Sequence, residues 1–284
     1  MPTRTKGLVV FIAISFGMAW AGMFAAPLLF GLSLVNPLVQ LAGIAFTPAI
    51  AAFVVRKWVT REGFADAGLR LRLREQWRLY LAAWLGPLAF AGASLAVAVA
   101  VGLWVFDPAA LALLPGAPVW VSIAILLAVV VVLTPIYWGE EFGWTSYLRL
   151  RLFPERPMLS TLLTGLIWAV WHYPLAFLGY IEFDNVVLGL AVWTVSFMLQ
   201  EVILTWLRMR SGSVWTASLA HAGNNMVFAL LIGTALGDGH QIAGTLIGIV
   251  PCAVVAAWIV MSGRLAADRP ADAPAAERVP VAVR

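Results

Sequence analysis

Two adjacent carboxylates, Glu140 and Glu141 in "GEEFGWTSYL", follow an apolar run that begins near Val119. Further along, His172 in "GLIWAVWHYPLAF" and His221 in "SLAHAGNNMVF" also sit inside apolar runs, whereas His240 falls between runs. A carboxylate shielded from water takes a proton from water near neutral pH. Neutral imidazoles orient that water or hold a divalent metal that acidifies it. Asn225, four residues after His221 and on the same helical face, offers an amide donor to a tetrahedral oxyanion. Together these residue types describe hydrolysis of a carbonyl compound. Each ionisable group at membrane depth costs a few kcal/mol unless it meets a partner or water, so their joint occurrence asks for a function.

The elements that must position them are membrane helices. Hydrophobic residues make up 62% of the 284 and charged residues 11%, which excludes an ordinary water-soluble domain. Eight stretches approach the roughly 20 apolar residues of a bilayer span: 7–34, 37–55, 79–106, 119–138, 159–178, 186–207, 213–232 and 242–261. The runs are continuously apolar and lack the alternation of a barrel, so the predicted fold is an all-α polytopic helical bundle of about eight transmembrane helices. With this count all 18 Lys and Arg fall on one face, and the other carries only Asp107, Glu182, Asp184 and Asp238. The positive-inside rule then makes both termini cytoplasmic. The net charge of +4 is explained by anionic lipid heads at the inner edge and requires no nucleic acid.

Lesser features fit the same picture. "TRTKGLVVFIAISFGMAWA" has the basic start and apolar core of a signal peptide, but the run continues well past it and reads as a retained first helix. The basic segment 56–78 reads as an interfacial amphipathic stretch or a solvated headgroup loop. Cys252 is the single cysteine and reads as packing; Glu201, beside Gln200, reads as packing or cavity polarity. Residues 265–284, rich in Ala, Pro and charge, are expected to form a disordered cytoplasmic tail after a bundle covering 1–264. Arg outnumbers Lys and Ala is abundant, the composition of a GC-rich bacterial genome, which predicts a multi-pass protein of the bacterial cell membrane.

Depth allows the polar residues to meet. Counted from the nearest cytoplasmic Arg, Glu140 lies about nine residues in and His221 about eleven, roughly 13 to 17 Å at about 1.5 Å per residue. His172 is nominally deeper, at roughly 24 Å, and a loop around Pro154 and Pro157 reduces that. Glu140 and Glu141 diverge by about 100° around a helix and so take different parts; Glu140 shares its face with Trp144 and Tyr147.

"EEFGWTSYL" resembles the EExxxR motif, "WAVWH" the FxxxH motif and "HAGNN" the HxxxN motif of the CPBP family of intramembrane proteases, which includes the type II CAAX prenyl endopeptidases and Abi-like bacteriocin-processing or immunity proteins. The likeness covers roughly residues 135–228, within a protease core at about 119–262. It implies an intramembrane endopeptidase with a cavity open to the cytosolic leaflet, acting on a peptide or membrane-protein substrate. Carried over residue by residue, the implied catalytic set is Glu140, Glu141, His172, His221 and Asn225. The face that Glu140 shares with Trp144 and Tyr147, expected to wall a cavity with His172 and His221, marks Glu140 as the general base and leaves Glu141 to brace a histidine or a backbone group. Glu140, His172 and His221 are also the candidate ligands of Zn²⁺ or another divalent metal, although the zincin signature HExxH is absent. Two positions depart from the pattern: Thr145 replaces the motif's Arg, and Trp168 replaces its Phe. Arg149, one turn on, is the nearest substitute for the missing charge. A non-catalytic scaffold or immunity protein of the same fold is the alternative, and a transporter is a third reading.

Overall fold

The computed structural model describes residues 3–114, 116–237 and 239–267. Among these every regular element is a helix. The predominantly apolar stretches leave the backbone no partner but itself, and this makes helices the stable choice. In chain order they are α1 (Thr3–Phe30), α2 (Thr47–Val54), α3 (Trp77–Ala100), α4 (Val119–Gly143), α5 (Arg149–Leu152), α6 (Pro157–His172), α7 (Pro174–Phe177), α8 (Val186–Ser211), α9 (Val214–Gly223), α10 (Ala229–Leu236), α11 (Gln241–Met261) and α12 (Arg264–Ala267). Wider π-helical turns precede and follow α2, join α4 to α5 (Trp144–Leu148) and join α9 to α10 (Asn224–Phe228).

The chain is a multi-pass membrane protein, but the expected eight spans are not all met. Among the described residues six helical units are long and apolar enough to cross a bilayer, and a seventh is the pair Val39–Ala45 and Thr47–Val59, bent by 40°. The shortfall is α6. Pro174 lacks an N–H and opens the next helix, so α6 stops at His172 after 16 residues, roughly 24 Å at the α-helical rise. The tail also differs at its start. Residues 265–267 belong to α12, with Leu265 buried, and residues 268–284 lie outside the described part of the chain.

The core places α4 against α2 and α9, and α8 against α6 and α11; α3 packs on α9. Gly139 and Gly143, one turn apart on α4, bracket the two acids and let the backbone from Ala45 to Pro48, at the start of α2, approach closely. A Cβ on Gly139 would lie 2.6 Å from the Ala45 carbonyl oxygen, and one on Gly143 would lie 2.8 Å from the Pro48 carbonyl oxygen. Small residues in this spacing are how membrane helices pack closely.

Residues 60–76, expected as an amphipathic stretch or a solvated loop, form an irregular strap pinned to the helix ends. Left-handed backbone at Arg61, Gly63, Gly68 and Arg72 prevents a helix from forming. Buried Arg56 donates to Asp66 Oδ1 (2.6 Å), to the Gly63 carbonyl (2.9 Å) and to the Ser146 carbonyl (2.5 Å). Arg151 donates to Glu62 (2.9 Å) and Asp66 Oδ2 (2.7 Å), and Arg208 donates to the Asp66 carbonyl (2.6 Å) and to Ser146 Oγ (2.7 Å). Partial burial works to raise the Asp66 carboxyl, but the Arg151 and Arg56 guanidiniums outweigh it, and the group lies below its usual range. The strap thereby grips Ser146, on the turn immediately after the paired acids.

The charge asymmetry predicts that the strap faces the cytoplasm and that the loop before α8 lies across the membrane. Single cysteines introduced as Arg74→Cys and Glu182→Cys, both at exposed positions, should react with an impermeant thiol reagent from opposite sides of sealed vesicles. Labelling of both from one side would contradict this orientation.

Candidate functional site

Three helices bring the candidate residues together. Glu140 and Glu141 end α4 and are buried, Glu141 completely. His172 is the last residue of α6 and is half-buried; His221 is a buried residue of α9; Asn225 stands half-buried in the π turn that follows.

Trp168 ties the group. Its indole N–H donates to Glu140 Oε2 at 2.8 Å, and its ring meets His221 edge-on with centroids 5.0 Å apart and His172 with centroids 5.8 Å apart. The Trp168 backbone carbonyl pairs with His172 Nδ1 at 3.0 Å. A carbonyl only accepts, so Nδ1 carries the hydrogen and the Nε2 lone pair is left for another donor. On the other side Glu141 Oε1 pairs with His221 Nδ1 at 2.9 Å, which assigns the hydrogen to Nδ1 there as well. Tyr137 stacks on His221 with centroids 4.7 Å apart, and its hydroxyl interacts with the Asn225 side chain. Phe197 of α8 closes the far side, stacked on His172 at 4.6 Å.

The outer ring of contacts fixes these rotamers. α1 holds the end of α6 through two indole bonds, Trp20 to the Trp171 carbonyl (3.0 Å) and Trp171 to the Ser15 carbonyl (3.1 Å). After the acids, Thr145 Oγ1 donates back to the Glu141 carbonyl at 2.8 Å, serving a backbone oxygen in the turn where the helix widens. The extra residue in that turn rotates the side chains of the turn itself. Tyr147, expected on the face of Glu140, packs on Phe11 of α1 with centroids 4.9 Å apart, whereas Trp144 meets Phe11 edge-on at 5.6 Å and keeps a side-chain interaction with Glu140.

The two departures from the motif pattern come out differently. Trp168 supplies the indole N–H that holds Glu140, a bond Phe cannot make; the sequence marks the site only as an aromatic where an aromatic is expected. Thr145 is fully buried. Arg149, one turn on, is buried, with its Nε donating to Thr161 Oγ1 (3.3 Å) and its charge acting on Glu201.

Among the described residues no group of three or more His, Cys, Asp or Glu side chains converges to hold a metal ion. Both histidines have the orienting bond at Nδ1 that a metal-ligating imidazole uses, but one Glu140 oxygen is committed to Trp168. The expected Zn²⁺ or other divalent-metal ligands Glu140, His172 and His221 are thus not gathered into one ligand set among the described residues. Nor does the cavity of about 240 Å³ bordered by Pro87, Gln200, Leu204, Ala220, Asn224 and Cys252 include the acids or histidines; it lies among α3, α8, α9 and α11. Cys252 is buried there as a free thiol, and His240 stands apart before α11.

No curated protein matches the chain in sequence. A family model described as type II CAAX prenyl endopeptidase Rce1-like matches residues 118–227, the stretch from the start of α4 through the π turn that carries Asn225. Glu140, Glu141, His172, His221 and Asn225 all fall inside it. Over residues 118–227 the chain is thus similar to the type II CAAX prenyl endopeptidase Rce1-like family, the intramembrane-protease family that its three motifs also resemble.

Proposed function

We propose that this protein is an intramembrane endopeptidase that hydrolyses a peptide bond of a membrane-associated protein or peptide, with Glu140 as the general base toward water. The observation that carries this reading is the convergence on one indole, Trp168, of a buried carboxylate and two imidazoles from three separate helices. In a lipid-embedded bundle such groups are costly, and packing alone would be served as well by apolar residues.

The geometry suggests the division of labour. Trp168 occupies Glu140 Oε2, leaving Oε1 to take the proton of an attacking water. The water's second hydrogen goes to the Nε2 of His172 or His221, which holds and aims it, each ring being fixed by its Nδ1–H bond. As the water oxygen adds to the peptide carbonyl, the amide group of Asn225 donates to the developing oxyanion. Collapse breaks the C–N bond, and the proton held by Glu140 passes to the leaving amine. Glu141 makes no contact with the reacting atoms in this scheme and acts by orienting His221. The substrate class is a bacterial peptide or membrane protein, and the setting is the bacterial cell membrane, in keeping with the composition of the chain. The non-catalytic alternative draws on Thr145, which leaves the motif without its Arg.

Glu140→Gln keeps the shape and the acceptor for Trp168 but removes the base. Turnover by purified, folded protein on a peptide library should fall by about two to four orders of magnitude. Near-normal cleavage by this variant would contradict the assignment, and cleavage by neither wild type nor variant would favour the non-catalytic reading.

Trp168→Phe restores the residue of the motif and deletes one N–H. A hydrogen bond to a charged group contributes about 1.5 to 3 kcal/mol, so kcat should fall about ten- to hundredfold with KM little changed. An unchanged or faster enzyme would mean that the indole bond to Glu140 plays no part.

A further inference from the structure

The hydrolytic scheme gives the developing oxyanion one donor, Asn225, and leaves a phenol beside it unused. Tyr137 lies on α4 one turn before Glu140, so the two side chains share a face of that helix. Its ring packs against His221 with centroids 4.7 Å apart, while Trp168 meets the same imidazole at 5.0 Å. α4 also packs along the π turn Asn224–Phe228, and there the Tyr137 hydroxyl is in hydrogen-bonding contact with the Asn225 side chain. Exposure separates the parts. Glu140, Glu141, Trp168 and His221 are buried, whereas Tyr137, His172 and Asn225 are only half-buried and form the rim that a peptide meets first. The bonds along the turn leave suitable hydrogens over. Asn224 Nδ2 donates to Asn225 Oδ1 at 3.3 Å, which fixes the amide so that its NH₂ end serves Tyr137. One of the two amide hydrogens goes to the phenol oxygen and the other remains. A phenol oxygen that accepts in this way keeps its own hydrogen for a third group.

We propose that Tyr137 is a further catalytic residue, its phenol O–H acting beside the Asn225 amide as the second donor of a two-donor oxyanion site. This deepens the endopeptidase reading and rests on it. As the water oxygen bonds to the carbonyl carbon, the C=O π pair moves onto the carbonyl oxygen, and both donors hydrogen-bond to that oxygen without giving up a proton. On collapse the pair returns, the C–N bond breaks and the donors are left as they began. Packing on His221 would be served equally well by Phe; the hydroxyl is what the oxyanion needs. Donors held in place before the charge develops contribute most where water is scarce, as at the inner rim of this bundle.

The test uses the full-length protein in lipid with two matched sets of synthetic apolar peptides, one ordinary and one in which a phosphinate replaces the central amide and presents a tetrahedral anionic oxygen. Tyr137→Phe keeps the ring on His221 and deletes one O–H. Its kcat should fall about hundred- to thousandfold with KM within about threefold, and its affinity for the phosphinic peptides should fall at least about tenfold while ordinary peptides bind as before. Wild-type kcat in Tyr137→Phe, or an equal loss of affinity for both peptide sets, would overturn the proposal and leave the endopeptidase reading standing wherever wild type cleaves. If wild type cleaves nothing but the selective loss of phosphinate binding is found, the donor pair stands and the protease reading fails; if wild type neither cleaves nor binds a phosphinate, both fall. Should Tyr137→Phe fail to fold, a structure of wild type with a phosphinic peptide decides. A phosphinyl oxygen within hydrogen-bond distance of both Tyr137 Oη and Asn225 Nδ2 supports the proposal, and one out of reach of Tyr137 overturns it.

Discussion

A carboxylate inside a membrane bundle has to find its hydrogen-bond donors within the protein, because lipid provides none. Glu140 finds the Trp168 indole and Glu141 finds the His221 imidazole, and these two bonds set most of the local architecture. The indole has to come from α6 and the imidazole from α9, so α4 is held between them. Trp168 then stands between the two histidines and fixes one of them through its own carbonyl. Leaving a buried charge unpartnered costs several kcal/mol, far more than any single apolar contact in the neighbourhood contributes. The pairing of acids and donors therefore selects the helix arrangement, and the surrounding rings fill in around it.

Further layers keep those bonds in register. Gly139 and Gly143 bring α2 onto α4 on either side of the acids, the strap of residues 60–76 clamps Ser146 through Arg56 and Arg208, and α1 holds the end of α6 through paired indole bonds. The π turns at Trp144–Leu148 and Asn224–Phe228 immediately follow the acids and the His221 segment. Turns of this kind cluster at functional sites because they redirect side chains without breaking the helix. Here the first sends Tyr147 into the core, and the second holds Asn225 beside Tyr137.

Much of this was legible in the residues. Continuous apolar runs establish the all-helical membrane bundle, and the depth of Glu140 and His221 makes their meeting a reasonable expectation. Other features are not written in any periodicity. An α-helical wheel has no place for a π turn, so the faces assigned to Tyr147 and Asn225 shift. The span expected over 159–178 is cut by Pro174, whose effect on a short helix depends on where the preceding turn begins. The Arg-rich segment 56–78 looks like headgroup-facing sequence because the acids that pair with it, Glu62 and Asp66, engage arginines from three different helical units. Trp168 reads as an aromatic wall because a hydrogen bond to an acid 28 residues away is a tertiary fact.

In the proposed reaction Glu140 removes a proton from water and does not itself attack the substrate. A single turnover with enzyme in excess, run in ¹⁸O-labelled water and read by mass spectrometry of the new carboxyl terminus, separates these routes in the first product molecule. Water activation predicts that this product carries one ¹⁸O atom at the enrichment of the solvent. An unlabelled first product, with the label appearing only on later turnovers, would show that the oxygen came from a side-chain carboxylate and would contradict the account.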